Sequence, residues 1–191
     1  MKKNLFAILL ATATFTIFSC QKATVEPRSA AASSDGGPAS GRVDDPAGCP
    51  PTEVSLIAGQ SMNAGTISVT NDATTIYVTY TTTNGWVLTQ THLYVGDCAA
   101  IPVNNPGNPV PGQFPYGNSS LNNVTTVTYQ VPISVMPADG CGCIAAHCVV
   151  KQLNSSGGTI QTQTGWGQGS LINLNGGNWG MKFGYCNCTG E

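Results

Sequence analysis

Residues 66–80 read TISVTNDATTIYVTY, and this stretch decides the predicted fold. Apolar residues alternate with Thr and Ser over 66–70 and again with Thr and Tyr over 75–80, which is the two-residue period of a β-strand. Asn71-Asp72-Ala73 lies between the two runs, and Asn and Asp are common in tight turns because their side chains bond nearby backbone N–H groups. The stretch therefore predicts an antiparallel hairpin.

The same alternation returns further along the chain, between turns that contain Gly, Pro or Asn. These further predicted strands cover residues 86–95, 124–131, 143–151, 159–164 and 179–185. Residues 49–191 show no sustained helical period. Seven or eight short strands separated by turns predict an all-β fold, either an antiparallel β-sandwich or a jelly roll.

The beginning of the chain has the layout of an export signal. Lys2 and Lys3 precede a mostly apolar run over residues 5–17, which is too short to span a bilayer. Ile17 and Ser19 then stand three residues and one residue before Cys20. This arrangement resembles the lipobox of bacterial lipoproteins.

The lipoprotein resemblance implies a signal peptide over residues 1–19 and lipid on Cys20. Because several acyl chains hold a protein on a bilayer far better than one, the expected partner of this end of the chain is a membrane. Gln21, rather than Asp, follows the cysteine. By the resemblance to bacterial lipoproteins, this residue implies a location at the outer membrane of the bacterial cell envelope.

Two further segments follow the predicted signal peptide. Residues 20–48 are rich in Ala, Ser, Gly and Pro and contain no aromatic residue. They predict a lipidated, disordered tether. Residues 49–191 are long enough for a single domain with its own core.

Charged side chains are scarce in the predicted domain. Five acids stand against two bases, which are Glu53, Asp72, Asp97, Asp139 and Glu191 against Lys151 and Lys182. With no basic patch to hold phosphates, nucleic acid is not an expected partner.

Cysteines indicate a disulfide-bonded domain in an oxidising compartment. The candidates for disulfides are Cys49, Cys98, Cys141, Cys143, Cys186 and Cys188. Each C-x-C pair places two sulfurs on one face of an extended chain. If the segments at 141–143 and 186–188 lie side by side, two disulfides can form between them. Cys49 would then pair with Cys98, and Cys148 would be a buried thiol on the opposite strand face.

The four C-x-C thiols could instead hold zinc or copper. Oxidation competes with thiolate ligation outside the cytoplasm, and we expect no metal and no cofactor. His92 and His147 each lie on a predicted strand, and they could chelate a metal if their strands were neighbours. A structural role for both histidines is the simpler interpretation.

Five aromatic side chains are candidates for a binding surface. A β domain needs large residues in its core, yet tryptophans beside glycine turns can also lie exposed and stack on sugar rings. The long connection over residues 99–121 is similarly either functional or ordered by its own packing. The candidate binding residues are Trp86, His92, His147, Trp166 and Trp179.

Four sequence blocks together carry a second resemblance. They are THLYVG at 91–96, GNPVPGQFPY at 107–116, AAH at 145–147, and GWG at 165–167 with NW at 178–179. In this order they are similar to a β-rich domain of secreted and surface-anchored bacterial proteins. The resemblance implies no activity.

We expect a noncatalytic binding or surface-interaction module, whose partner is a glycan or another envelope protein. Asp72, Asp97 and Asp139 stand beside turn residues, where aspartate satisfies local backbone groups rather than acting in pairs. Two alternatives stay open: a surface hydrolase or metal-dependent enzyme using His92 and His147, and a purely structural envelope component. A row of exposed tryptophans would favour the first interpretation, and a converging cluster of carboxylates or histidines would favour an enzyme.

Overall fold

The computed structural model describes residues 51–188. The predicted signal peptide, Cys20, the tether and Cys49 lie outside these residues. Within them the regular structure consists of strands and three short 3₁₀ segments, with no α-helix. The strands are β1 Thr52–Ala58, β2 Met62–Asn71, β3 Thr75–Thr82, β4 Trp86–Gly96, β5 Tyr116–Asn118, β6 Thr126–Pro132, β7 Cys141–Leu153, β8 Thr159–Gly167, β9 Ser170–Leu171 and β10 Met181–Cys186.

The predicted hairpin is the pair β2 and β3, with Val69 opposite Val78. Its turn is held by Asp72, whose carboxylate accepts hydrogen bonds from the backbone N–H groups of Thr74 and Thr75 at 2.8 Å each. The same carboxylate accepts the Tyr77 hydroxyl at 2.7 Å. These three donors lower the pKa of Asp72 to about 2.

All pairings between the strands are antiparallel, in the order β5-β4-β7-β8-β1-β2-β3-β6. β10 pairs with β7 and with β9. The all-β antiparallel prediction is confirmed. Because these strands form one continuous sheet, the pairing does not confirm the sandwich or the jelly roll, which stay predictions.

The sheet curls until its β6 edge returns to β4. Leu88 forms a bridge with Val124 just before β6, and the Thr91 and Tyr129 hydroxyls lie 2.6 Å apart across the gap. The result is a nearly closed, barrel-like sheet. Its interior is filled by apolar residues from most strands, including Leu56, Ile67, Tyr80, Leu88, Leu93 and Ile144, all fully buried.

A second hydrophobic cluster covers the outer face of β4, β7 and β8. Tyr94 and Ala145 belong to it, whereas Leu93 and Ala146 next to them belong to the interior, as strand alternation requires. The connection after β4 supplies Phe114, whose ring lies edge-on to Trp166 with centroids 6.3 Å apart. The long connection is thus ordered by its own packing against the sheet.

Two disulfides lie within the described residues, Cys98–Cys143 and Cys141–Cys186. The second disulfide joins residues that face each other across β7 and β10, in agreement with the prediction that the two C-x-C segments lie side by side. The predicted Cys49–Cys98 pair is wrong. Cys98 lies just past Gly96, the register partner of Cys143, and the 3₁₀ turn Cys98–Ala100 places its sulfur beside β7.

The second disulfide predicted between the two C-x-C pairs does not form, because Cys143 is bonded to Cys98. Cys188, which lies beyond the end of β10, is itself disulfide-bonded. Cys148 is the free thiol of the described residues and is fully buried, as predicted. Burial raises the pKa of its thiol far above the ordinary range.

Across residues 51–188, no helix has the length and apolar character needed to cross a membrane.

Candidate functional site

The five candidate binding residues fall into three environments. Trp86 is 3% exposed in the interior, so the structure assigns it to the core. Trp166 is 4% exposed and belongs to the outer hydrophobic cluster together with Tyr94 and Phe114. Trp179 is half-buried and lines a surface cleft. Of the three tryptophans, Trp179 is therefore the one placed to meet a ligand.

The two histidines lie in contact on the outer face of the sheet. His92 on β4 is the register partner of His147 on β7, which in turn is the register partner of Trp166 on β8. The ring centroids of the histidines are 5.6 Å apart, and the His147 ring meets the Trp166 ring at 4.8 Å, edge to face. The three side chains form one row across neighbouring strands.

Burial keeps this histidine row uncharged. His147 is 9% exposed, and desolvation followed by repulsion from His92 lowers its pKa to about 4. The pKa of His92 is also lowered, by desolvation. Among the described residues the Nδ1 atom of His147 has no hydrogen-bond partner.

Nearby groups do not complete a metal site around the pair. Within residues 51–188 no three His, Cys, Asp or Glu side chains are placed together to hold a metal ion. The C-x-C cysteines Cys141, Cys143 and Cys186 are disulfide-bonded, so their sulfurs are not available as thiolate ligands. The described donors therefore offer a pair of imidazoles and not a tetrahedral site.

Elsewhere on the surface, two clefts share a wall formed by the connection from β9 to β10. Cleft A has a volume of about 460 Å³ and lies between residues 98–107 and 172–175, with Lys182 also on its wall. Cleft B has a volume of about 360 Å³ and is lined by Gln60, Leu171, residues 176–178 and Trp179. Asn173 lines both clefts.

Asn173 holds the two connections together. It is 5% exposed, and its side-chain amide donates to the Pro106 carbonyl at 2.8 Å and to the Asn108 side-chain oxygen at 2.9 Å. Its own oxygen accepts the Asn175 backbone N–H at 3.0 Å. The Asn108 oxygen also accepts the backbone N–H of Asn178 at 3.0 Å. This network joins the two walls of cleft A and holds the segment that also forms one wall of cleft B.

Glycine is required where the two connections approach each other. Gly177 has a φ of +141°, and a Cβ atom there would overlap the Asn108 side-chain oxygen. The two glycines at 176 and 177 therefore allow the chain to turn directly over the Asn108–Asn173 pair.

The clefts combine apolar rims with uncharged polar groups. Leu171 and Leu174 are 44% and 81% exposed, and Val103 is 45% exposed across cleft A. Polar groups come from asparagine and glutamine side chains, chiefly Asn105, Asn175 and Gln60. A concave surface with apolar walls and a few placed polar groups is the usual form of a ligand site.

Carboxylates do not line either cleft among the described residues. Asp72 holds the β2–β3 turn, Asp97 accepts the Ala99 backbone N–H at 2.9 Å, and Asp139 accepts the Cys141 backbone N–H at 3.0 Å. The prediction that these aspartates satisfy local backbone groups is confirmed. His92 and His147 are likewise not among the residues that line the clefts.

The sequence indicated Cys98, Trp179 and the long connection over residues 99–121, but it did not indicate Asn173, Asn175 or Lys182 as cleft residues. These three residues carry no motif of their own. The available signal was the density of Asn and Gly over residues 173–178, beside a tryptophan.

Comparison with known proteins finds no relative: the chain matches no protein-family model, no curated protein and no solved structure.

Proposed function

We propose that this protein is a lipid-anchored, noncatalytic binding module of the bacterial cell envelope, and that its clefts recognise carbohydrate. The observation that carries the proposal is cleft B, where a half-buried indole stands beside amide groups and two glycines. An indole face packs against the apolar face of a pyranose, while amides both donate to and accept from sugar hydroxyls. The proposed outer-membrane location rests on the lipobox resemblance.

Rigid cleft walls support recognition rather than turnover. Because Asn173 and Asn108 bond the two connections to each other, a ligand would not have to order them on binding. Glycoside hydrolysis ordinarily uses two carboxylates that flank the scissile bond. The described residues that line the clefts include amide side chains and no carboxylate.

A glycan array followed by calorimetry tests the carbohydrate proposal. The full chain should bind a subset of oligosaccharides, and Trp179→Ala should weaken binding by about tenfold or more, as truncation of an aromatic anchor does. The matched control is Ile160→Ala, which removes an exposed apolar side chain that does not line a cleft. Absence of glycan binding, or equal binding by Trp179→Ala, would refute the proposal.

The enzyme alternative has one observation in its favour, the contact between His92 and His147 with an unbonded buried Nδ1. Glycan, ester and peptide substrate panels test it with the double variant His92→Ala, His147→Ala. Turnover that disappears in a folded double variant would replace the proposed function. A protein that neither binds glycans nor turns over any substrate would instead favour the structural alternative, or binding to another envelope protein.

A further inference from the structure

Cleft A carries a charge that cleft B lacks. Among the described residues that line the two clefts, Lys182 is the single charged side chain. It lies on β10 opposite Ser170 of β9 and is half-buried. Within residues 51–188 it makes no ion pair. No other described residue that lines cleft A is charged, so Lys182 has no countercharge within the cleft.

The two clefts share a wall along residues 172–179. Asn173 is a wall of both, and Ile172 to Asn175 of cleft A lead directly into Gly176 to Trp179 of cleft B. Because the polar atoms of Asn173 are already bonded to Pro106, Asn108 and Asn175, this residue separates the clefts without competing for ligand. A ligand of two or more sugars can lie along both clefts.

We infer that the module recognises an acidic saccharide, with a neutral sugar face against Trp179 in cleft B and an anionic sugar substituent on Lys182 in cleft A. This inference rests on the proposed carbohydrate-binding function and adds the class of sugar. A lysine ammonium attracts a carboxylate or a sulfate as a point charge, and the pairing strengthens the hydrogen bond between them. The apolar rim formed by Ile101, Val103 and Leu174 excludes water from one side of that contact.

The surroundings favour this assignment over a neutral glycan alone. A partly exposed lysine can bury its apolar stem while its ammonium group stays in water, where an anionic group of a ligand can reach it. An arginine would bind planar anions in two-point fashion, whereas a single lysine accepts carboxylate and sulfate groups alike. The anionic group is therefore the recognised chemistry, and the experiment distinguishes its two forms.

Calorimetry on the detergent-solubilised full chain tests the inference with three probes of equal length: an oligogalacturonate, the same oligosaccharide after reduction of its carboxyl groups, and a sulfated galactose oligosaccharide. The wild-type chain should bind one or both anionic probes about fivefold or more tightly than the neutral probe at low salt. Because the contact is partly exposed, the preference should shrink as NaCl rises from about 50 to 500 mM.

Lys182→Gln should remove the preference for the anionic probes, so that all three probes bind with similar affinity. Lys151→Gln is the matched control, since Lys151 is the other lysine of the described residues, lies on β7 and lines neither cleft. A preference that survives Lys182→Gln, or a wild-type chain that binds all three probes equally, overturns the inference while leaving the proposed function standing. Failure of every probe, together with a negative glycan array, refutes the proposed function instead.

Discussion

His92 and His147 occupy the same rung of the β4–β7 ladder, with ring centroids 5.6 Å apart, on the outer face of the sheet. Cross-strand neighbours of this kind are close enough for a charge on one side chain to interact with the other. His147 also lies against Trp166, which removes most of its contact with water. Both histidines are therefore neutral at neutral pH, and protonating them lowers the stability of the folded state.

The histidine row predicts that the domain loses stability as the pH falls from about 6.5 to about 4. An unfolded chain binds a proton on His147 near pH 6.5, whereas the folded chain does so only near pH 4, because its pKa is lowered to about 4. The unfolded state thus binds more protons between these values, and stability falls as pH falls through this window. The loss should approach roughly 3 kcal/mol by pH 4, at 1.36 kcal/mol for each pKa unit.

Urea unfolding followed by tryptophan fluorescence between pH 4 and 8 measures this slope. His147→Gln should flatten the slope, whatever its effect on stability at neutral pH, because the amide does not titrate. His92→Gln should flatten it partly, since the pKa of His92 is lowered in the same direction. An unchanged slope in His147→Gln would show that other groups cause the pH dependence.

The disulfide arrangement predicts a defined mass-spectrometric map. Fragments of the nonreduced protein should show Cys98 linked to Cys143 and Cys141 linked to Cys186, and the same map assigns the partner of Cys188. A link from Cys143 to Cys186 would contradict the structure.

Cys148 should resist modification in the native state. It is fully buried, and its raised pKa removes the reactive thiolate at neutral pH. Iodoacetamide should therefore label it only in denaturant. Labelling of native protein at a rate like that of a free thiol would mean that the core opens readily there.

The amide network of the clefts predicts a local effect of Asn173→Ala. This change removes the side-chain donor to the Pro106 carbonyl and one of the two donors to the Asn108 side-chain oxygen, which should cost about 1–3 kcal/mol and weaken glycan binding. Hydrogen exchange should rise over residues 104–108 and 173–178. Asn154→Ala is the control, because Asn154 caps the β7–β8 turn away from both clefts. Equal exchange in both variants would refute the role given to Asn173.

The proposed lipid attachment at Cys20 predicts the behaviour of a single substitution. Cys20→Ala should move the protein from the membrane fraction to the soluble fraction and abolish labelling with a fatty-acid analogue, because the proposal makes the acyl chains the anchor. Ser34→Ala, a substitution in the predicted tether, is the control and should leave both unchanged. Retention of Cys20→Ala on membranes would refute lipid attachment.

Local features of this protein followed from its sequence. The β2–β3 hairpin, the turn-capping role of Asp72 and the burial of Cys148 on the strand face opposite Cys143 were all predictable. Strand alternation and turn hydrogen bonds involve residues within a few positions of each other, and a sequence reports such relationships directly. The short strands β5 and β9 lack enough residues to show the alternation, and β1 was also missed.

Only the tertiary structure decided which distant segments meet. It places β8 between β7 and β1, bonds Cys98 to Cys143, and buries Trp86 and Trp166 while leaving Trp179 at a cleft. Asn173 and Asn108, which shape both clefts, are 65 residues apart in the chain. Such contacts depend on the order in which strands pair and on how far the sheet curls, and many orders satisfy the same two-residue alternation.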